Sequence, residues 1–490
     1  MRGMAKRWVP AAAIVATVAI GCSSEDTTPS PGTGGSGGTD TSSGGSGGVG
    51  GSISLPSQSD HDRLAGFLED LSAEPMKGRL TGSPSGAVAE QYVLAALGAT
   101  GFTVETQDVP LPIFDVGSPI ELAIVDGNGN PTTTFTYLDE YREVMFAGSG
   151  LVTGDLAFVG HGTDPEYQAL DVTGRVVAVL ASSSAQGSAF KLAHDKGAAG
   201  VLFVPVGNLA TADAQLGPIY QPSLFALGDP VDPALLADGF PALLVHVGAV
   251  QKLLGKTGAE LLADPTPFDA LAQVRIELHG TGYPDATCKN ILAFRPGAHP
   301  ALGSEVIGVG AHYDHIGVGG DGMPFFGASD NASGAASVLE LAYMLDAFPI
   351  APDRTVLLGL WCGEEQDLYG SQYYVHNPRF PLASTALYVN LDNIADPPGP
   401  YLVRTDPVPI QADFLAPSAA DPIQEQHIGF QCGSDECPFF IAGVTFLRYL
   451  DFGVHGHTHV DTFANADLAG LGRVTDEVLR GVEATAYQLP

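Results

Sequence analysis

Basic residues are scarce in this chain. Lys and Arg number 21 against 55 Asp and Glu, so its 490 residues carry a formal net charge of −34. That balance excludes electrostatic capture of a phosphate backbone or an anionic bilayer, and with it nucleic acid as a primary partner, while metal ions and protonated amines remain compatible. Charged residues of both signs reach only 16% and hydrophobic ones 45%, so the chain can bury a large core and is not mainly disordered. Cysteines number 5 and none stands in a Cys-x-x-Cys pair, which excludes a thiolate zinc ribbon. No helical His-Glu-x-x-His occurs, which excludes a thermolysin-like mechanism. At roughly 100–200 residues per domain the length calls for two or three domains.

The first 22 residues have the pattern of an export signal: Arg2, Lys6 and Arg7, then an apolar run from Trp8 to Gly21 that is too short to span a membrane. The run ends in Ala19-Ile20-Gly21-Cys22, similar to the lipobox of bacterial lipoproteins, in which the cysteine becomes lipid-modified. Residues 23–56 are almost wholly Ser, Gly, Thr and Pro with repeated Gly-Gly-Ser-Gly-Gly, and read as a flexible tether. The expected location is therefore outside the cytoplasm, as a cell-envelope lipoprotein or extracellular protein, with membrane contact only through a lipid at Cys22. Formal Gly-x-Ser-x-Gly matches at Ser36 and Ser46 fall in the tether, neither after a strand nor before a helix, and are discarded. Among the other cysteines, Cys432 and Cys437 are the pair close in sequence, and export permits a local disulfide between them.

Past the tether, Leu64, Phe67, Leu68 and Leu71 fall at helical spacing, as do Tyr92, Val93, Ala96 and Leu97, before a strand-like run from Phe102. Residues from about 115 to 278 show short β-like runs and one amphipathic helix around Ala189 to Lys196. From about Asn290 onward, apolar strands starting at Val306, Thr355, Ala386 and Val444 alternate with helices. The expected fold is α/β, a mostly parallel mixed sheet flanked by helices, with a mainly β domain inserted. In such sheets, sites form at the carboxyl ends of the strands.

The reactive residues follow those four strands. After the first come His312 and Asp314, and the loop then reaches Asp330-Asn-Ala-Ser-Gly. After the second come Glu364 and Glu365, after the third Asp392, and beyond the fourth His455-Gly-His457-Thr-His459-Val-Asp461-Thr462. Two imidazoles and three carboxylates at five strand-end positions make an N/O donor set suited to zinc or a similar divalent ion. A binuclear site is natural, with Asp330 placed to bridge. A glutamate beside a ligating one serves as general base for a metal-activated water, an arrangement Glu364 and Glu365 satisfy. Singly, each residue suits a helix cap, a turn or a surface position. Together, converging buried carboxylates require a cation.

His312-Tyr-Asp314, Gly-Ala-Ser-Asp330-Asn-Ala-Ser-Gly, Gly-Glu364-Glu365-Gln-Asp-Leu-Tyr-Gly-Ser, Asn-Leu-Asp392 and His457-Thr-His-Val-Asp461-Thr resemble the ordered motifs of the M28 family of zinc peptidases, which includes bacterial aminopeptidases. Asp171-Val-Thr-Gly-Arg-Val-Val-Ala-Val-Leu and Lys191-Leu-Ala-His-Asp-Lys-Gly-Ala-Ala-Gly-Val-Leu resemble the protease-associated (PA) domain inserted in many of them. The resemblance implies a peptidase domain over 57–114 and 279–490 and a PA domain over 115–278. It implies two zinc ions: His312 and Asp392 on one, Glu365 and His457 on the other, Asp330 bridging, Asp314 orienting the His312 imidazole, and Glu364 activating a metal-bridging water. The substrates it implies are peptides or proteins with a free N-terminus, cleaved by a di-zinc aminopeptidase.

Two departures from the family pattern bear on the pocket. Glu436 stands in Ser434-Asp435-Glu436-Cys437-Pro438-Phe439 where many relatives carry His, and Gly456 stands where a tyrosine often precedes the last ligand. Of the three alternating histidines, His457 has the His-Thr-x-x-Asp-Thr spacing. Gly317-Val-Gly319-Gly-Asp-Gly322 formally matches a dinucleotide fingerprint but lacks the acidic residue on a following strand, and reads as a flexible loop at the pocket mouth. Trp361, Phe325 and Phe326 read as core packing before pocket lining. Other readings are a carboxypeptidase or glutaminyl-cyclase-like enzyme on the same fold, or an inactive peptidase-like binding protein.

Overall fold

The computed structural model describes residues 58–144, 148–181, 186–206, 239–397, 399–404, 408–426, 433–451 and 455–487. The export signal, Cys22, the tether and Cys432 lie outside these residues. No helix among the described residues is long and apolar enough to cross a membrane.

The described chain opens with helices α1 (His61–Leu71) and α2 (Pro84–Gly98). Asp60 caps α1 by accepting from the Arg63 amide, and its buried residues Leu64, Phe67, Leu68 and Leu71 recur at one-turn spacing. Ser83 caps α2, with Pro84 in its first turn. Strand β1 (Thr103–Pro110) then leads into a second set of strands: β2 (Ile113–Val125), β3 (Pro131–Thr134), β4 (Tyr141–Glu143), β5 (Gly150–Phe158), β6 (Val176–Ala181), helix α3 (Gln186–Asp195), β7 (Gly200–Pro205), β8 (Ala242–Val245) and β9 (Phe268–Tyr283). These form an eight-stranded sheet ordered β3-β2-β9-β5-β6-β7-β8-β4. Positions 115 and 278 fall inside β2 and β9, which pair antiparallel from Ile113 against Tyr283 onward.

The chain returns with β10 (Thr287–Arg295), β11 (Val306–His312), α4 (Gly334–Asp346), β12 (Thr355–Trp361), α5 (Tyr369–His376), β13 (Thr385–Asp392), β14 (Tyr401–Arg404), α6 (Glu436–Ile441), β15 (Phe446–Leu450) and α7 (Leu468–Ala486). With β1 they make a seven-stranded sheet ordered β1-β10-β12-β11-β13-β15-β14. Its four central strands are parallel and the flanking ones antiparallel, the mixed α/β sheet expected.

Every residue of β11 and β12 is buried, as an apolar strand covered on both faces requires. One face packs against α1, α2, α4 and α7. The other holds Trp361, Tyr374, Tyr388 and Phe439. Trp361 Nε1 donates to Tyr388 Oη at 2.7 Å, and Tyr388 stacks on Phe439 at 3.8 Å. Only glycine fits at 310 in this cluster, because a Cβ there would lie 2.5 Å from Tyr388 Oη. Trp361 and Phe325 are fully buried, so both are core residues.

A disulfide joins Cys288 on β10 to Cys362, the residue after β12. Closeness in sequence gave no hint of it, since the pair is brought together by the antiparallel β10–β12 register, Ile291 opposite Leu360. Cys437 is also disulfide-bonded.

Candidate metal centre

The sheet delivers its chemistry at one edge. β11 ends in His312, followed by Asp314 and His315. β12 runs through Cys362 and Gly363, whose φ of +67° turns the chain, into Glu364 and Glu365. β13 ends in Asp392. Asp330 sits in the irregular turn that feeds α4, its backbone fixed by Asp461, whose carboxylate accepts from the Ser329 and Asp330 amides at 2.7 and 3.0 Å. His457 follows β15 with a φ of +55°.

All seven residues singled out in the sequence converge. His312 Nε2 lies 3.2 Å from Asp392 Oδ1, 3.5 Å from Asp330 Oδ1 and 3.7 Å from Glu364 Oε2. His457 Nε2 lies 2.9 Å from Glu365 Oε2 and 3.1 Å from Asp330 Oδ2. Asp314, fully buried, sits behind His312 with Oδ1 3.6 Å from Nδ1. The donor atoms form two groups, each within 4.8 Å: His312, Glu364 and Asp392; and His315, Asp330, Glu365 and His457.

His315 was not foreseen. Its Nδ1 lies 2.7 Å from Glu365 Oε1, and its place three residues after His312 in His-Tyr-Asp-His was the available signal. Arg79 was missed as well. Wholly buried, it donates to the carbonyls of Tyr313, Leu71, Phe326 and Gly327 at 2.7–3.0 Å, tying the loop after β11 to the turn that carries Asp330. The two other alternating histidines face elsewhere: His455 pairs with Asp396, and His459 with Asp321.

The electrostatics describe a site that demands positive charge. Burial alone would lower the imidazoles of His312 and His457, yet Glu364 and Asp392 hold the first well above its usual range, and Glu365 with Asp330 pushes the second up to about 10. Glu365, despite burial, is held well below the carboxylate range by His457 and His315. Glu364 goes the other way, driven well above it by burial, with Asp392 and Glu365 adding to the shift against the opposing His312. Imidazoles that keep protons this tightly are answering a carboxylate cluster that the nearby Arg79 guanidinium does not neutralise alone, and a mixed N/O set of this kind suits divalent zinc.

The two departures are structural. Glu436 is buried, its Oε1 2.5 Å from Arg448 Nη1 and its Oε2 accepting from Asn390 at 3.2 Å. Gly456 stands beside the centre, where a Cβ would lie 3.7 Å from Asp330 Oδ2.

Residues 290–482 match the family model for peptidase family M28. This part of the chain is an M28 peptidase domain. Among curated proteins, the chain is 33% identical over 152 residues to leupeptin-inactivating enzyme 1 of Streptomyces exfoliatus, covering 31% of each. It is 25% identical over 377 residues to a probable lipoprotein aminopeptidase of Mycobacterium tuberculosis, covering 74% of this chain and 65% of that one. The chain thus spans between about a third and two thirds of the length of such relatives. The M28 domain and its insert share their fold with an aminopeptidase from Aneurinibacillus sp. strain AM-1, at a TM-score of 0.63 and 20% identity, over 88% of this chain and 94% of that one. A zinc aminopeptidase from Bacillus subtilis gives a TM-score of 0.60 and 18% identity, over 88% and 96%.

Proposed function

We propose that this chain is an exported di-zinc aminopeptidase, with the eight-stranded sheet as its PA domain. The observation that carries the two-metal reading is Asp330: its Oδ1 faces His312 and its Oδ2 faces His457, so its two oxygens would be available to two ions. His312 and Asp392 would hold one ion and Glu365 and His457 the other. Asp314 orients the His312 ring and His315 holds Glu365 from behind, the supporting contacts that metal ligands need. Bound zinc supplies Lewis acidity and a lowered pKa for water.

Glu364 is the proton carrier. Burial and the neighbouring carboxylates raise its affinity for a proton, the direction a general base needs. Its carboxylate takes the proton of the attacking water and returns it to the departing amine. A peptide's free α-ammonium group suits the acidic surroundings of Glu364, Glu365 and Asp392, and one relative, the mycobacterial protein, is described as a probable aminopeptidase. Export, and lipid attachment at Cys22, are part of the proposal, supported by the N-terminal pattern and by the description of the mycobacterial relative as a probable lipoprotein aminopeptidase.

The test is metal reconstitution. After chelation, zinc added back should saturate at two ions per chain with turnover rising in step, and Asp330→Ala should lose metal and activity together. Saturation at one ion with full activity would contradict the proposal.

A further inference from the structure

Residue His457 needs holding. A non-glycine residue at a φ of +55° persists only where its surroundings impose it. Within its own turn it has the Thr458 amide bonded to the His455 carbonyl at 3.1 Å and the Asp461 amide to the Thr458 carbonyl at 3.2 Å. The larger anchor is His459, two residues on, which is gripped by a hairpin from another part of the chain. Its ring stacks on Phe325 at 4.1 Å, its Nε2 lies 3.1 Å from Asp321 Oδ2, and its Nδ1 lies 3.2 Å from the Pro324 carbonyl.

That hairpin is the glycine-rich stretch read from sequence as a flexible loop. Instead it is cross-bonded along its length: the Gly319 amide to Met323, Gly322 to Gly319, Phe325 to Gly317, and Gly317 to Gly78, all at 2.8–2.9 Å. Its far side rests on the inserted sheet. Tyr137 Oη accepts from the Gly320 amide at 2.9 Å while donating to Glu143 at 2.6 Å, and the buried Arg142 guanidinium lies 5.7 Å from the centre of the Phe325 ring. The fit tolerates no side chain, since a Cβ at Gly319 would stand 2.7 Å from Tyr137 Oη and one at Gly320 2.3 Å from Ile120.

We propose that the inserted sheet is a positioning element for the metal centre, with Tyr137 acting through the 317–325 hairpin and His459 to fix the turn that presents His457. This rests on the reading of His457 as a ligand under the proposed function. The chain of contacts is continuous and each link is directional: Tyr137 to Gly320, the hairpin to His459, His459 to the His457 turn. Coupling between the insert and the centre follows without any motion of the insert.

The experiment is a double-mutant cycle in the full chain, read by zinc retention against a competing chelator and, separately, by kcat and KM. Tyr137→Phe keeps the ring and removes the hydroxyl, and His459→Ala cuts the next link. Each should weaken zinc retention by roughly tenfold, the lower end for groups that orient metal ligands, and the double variant should be no weaker than His459→Ala alone. Leu271→Ser, on a fully exposed position of the same sheet, should change nothing. Fold-changes that multiply, an unchanged retention in Tyr137→Phe, or an equal loss in Leu271→Ser would each overturn the proposal. Zinc retention is measured without substrate, so a chain that binds zinc and cleaves no peptide would sink the peptidase reading while leaving this relay intact.

Discussion

Replacing the Cys288–Cys362 disulfide by a pair of alanines should cost stability far more than activity. The bridge closes a loop with a sequence separation of 74, and by the chain-entropy relation a loop of that length constrains the unfolded chain by about 4.5 kcal/mol at 25 °C. Both cysteines are buried, and β10 and β12 stay paired from Ile291–Leu360 onward, so the folded state keeps its register and the loss is felt in the unfolded ensemble. The loop after Cys362 also has independent anchors: Gly363 donates to Thr81 Oγ1 at 3.0 Å and Glu364 to Asp314 Oδ1 at 3.4 Å. Turnover at 25 °C should therefore change little. Urea unfolding followed by the fluorescence of Trp361, next to Cys362, should show a loss of about 3–5 kcal/mol. A loss under about 1 kcal/mol would refute the loop-closure reasoning, and a collapse of turnover with stability preserved would show that the bridge, not Thr81 and Asp314, positions Glu364.

Other expectations follow from single residues. Glu364→Gln should retain its metals while turnover falls by at least about 100-fold, so a metal-replete variant with full activity would remove Glu364 from the mechanism. Arg79→Ala strands several buried carbonyls around the Asp330 turn and should cost about 3 kcal/mol or more in unfolding free energy; a loss under about 1 kcal/mol would mean that water replaces the guanidinium. Glu483 on α7 is pushed up to about 7 by burial, Arg480 offsetting part of the shift. Because the folded state holds this proton more tightly than the unfolded one, stability falls as pH rises from the ordinary glutamate range to about 7. Glu483→Gln should then match the parent at pH 4 and exceed it by about 1–2 kcal/mol at pH 8, the full shift being discounted for partial exposure. Equal stability at both pH values would contradict this.

Much of the centre was legible because its residues follow strands whose apolar runs are themselves legible. Val306–His312 and Thr355–Trp361 announce themselves by unbroken hydrophobicity, and parallel strands leave their carboxyl ends at one edge. His312, Asp314, Asp330, Glu364, Glu365 and Asp392 could be read off those ends and the loops that follow them, whereas His457 was singled out from three alternating histidines by its His-Thr-x-x-Asp-Thr spacing. What stayed hidden depends on register or on buried polarity. The Cys288–Cys362 bridge needs the antiparallel pairing of two strands far apart in sequence. Arg79 carries a charge that sequence reading places at the surface, and only the ring of carbonyls from Tyr313, Leu71, Phe326 and Gly327 explains its burial. The 317–325 hairpin looks flexible from its glycines, yet those glycines are what allow the hairpin to close against Tyr137 and Ile120.

The most direct test of the account is cleavage of matched short peptides with free and with acetylated N-termini by the chain beginning at Ser57, with and without a zinc chelator. Stepwise release of N-terminal residues from the free peptides alone, abolished by the chelator and restored by zinc, is the predicted result. Equal cleavage of the acetylated peptides, or cleavage indifferent to the chelator, would contradict the assignment of a zinc aminopeptidase.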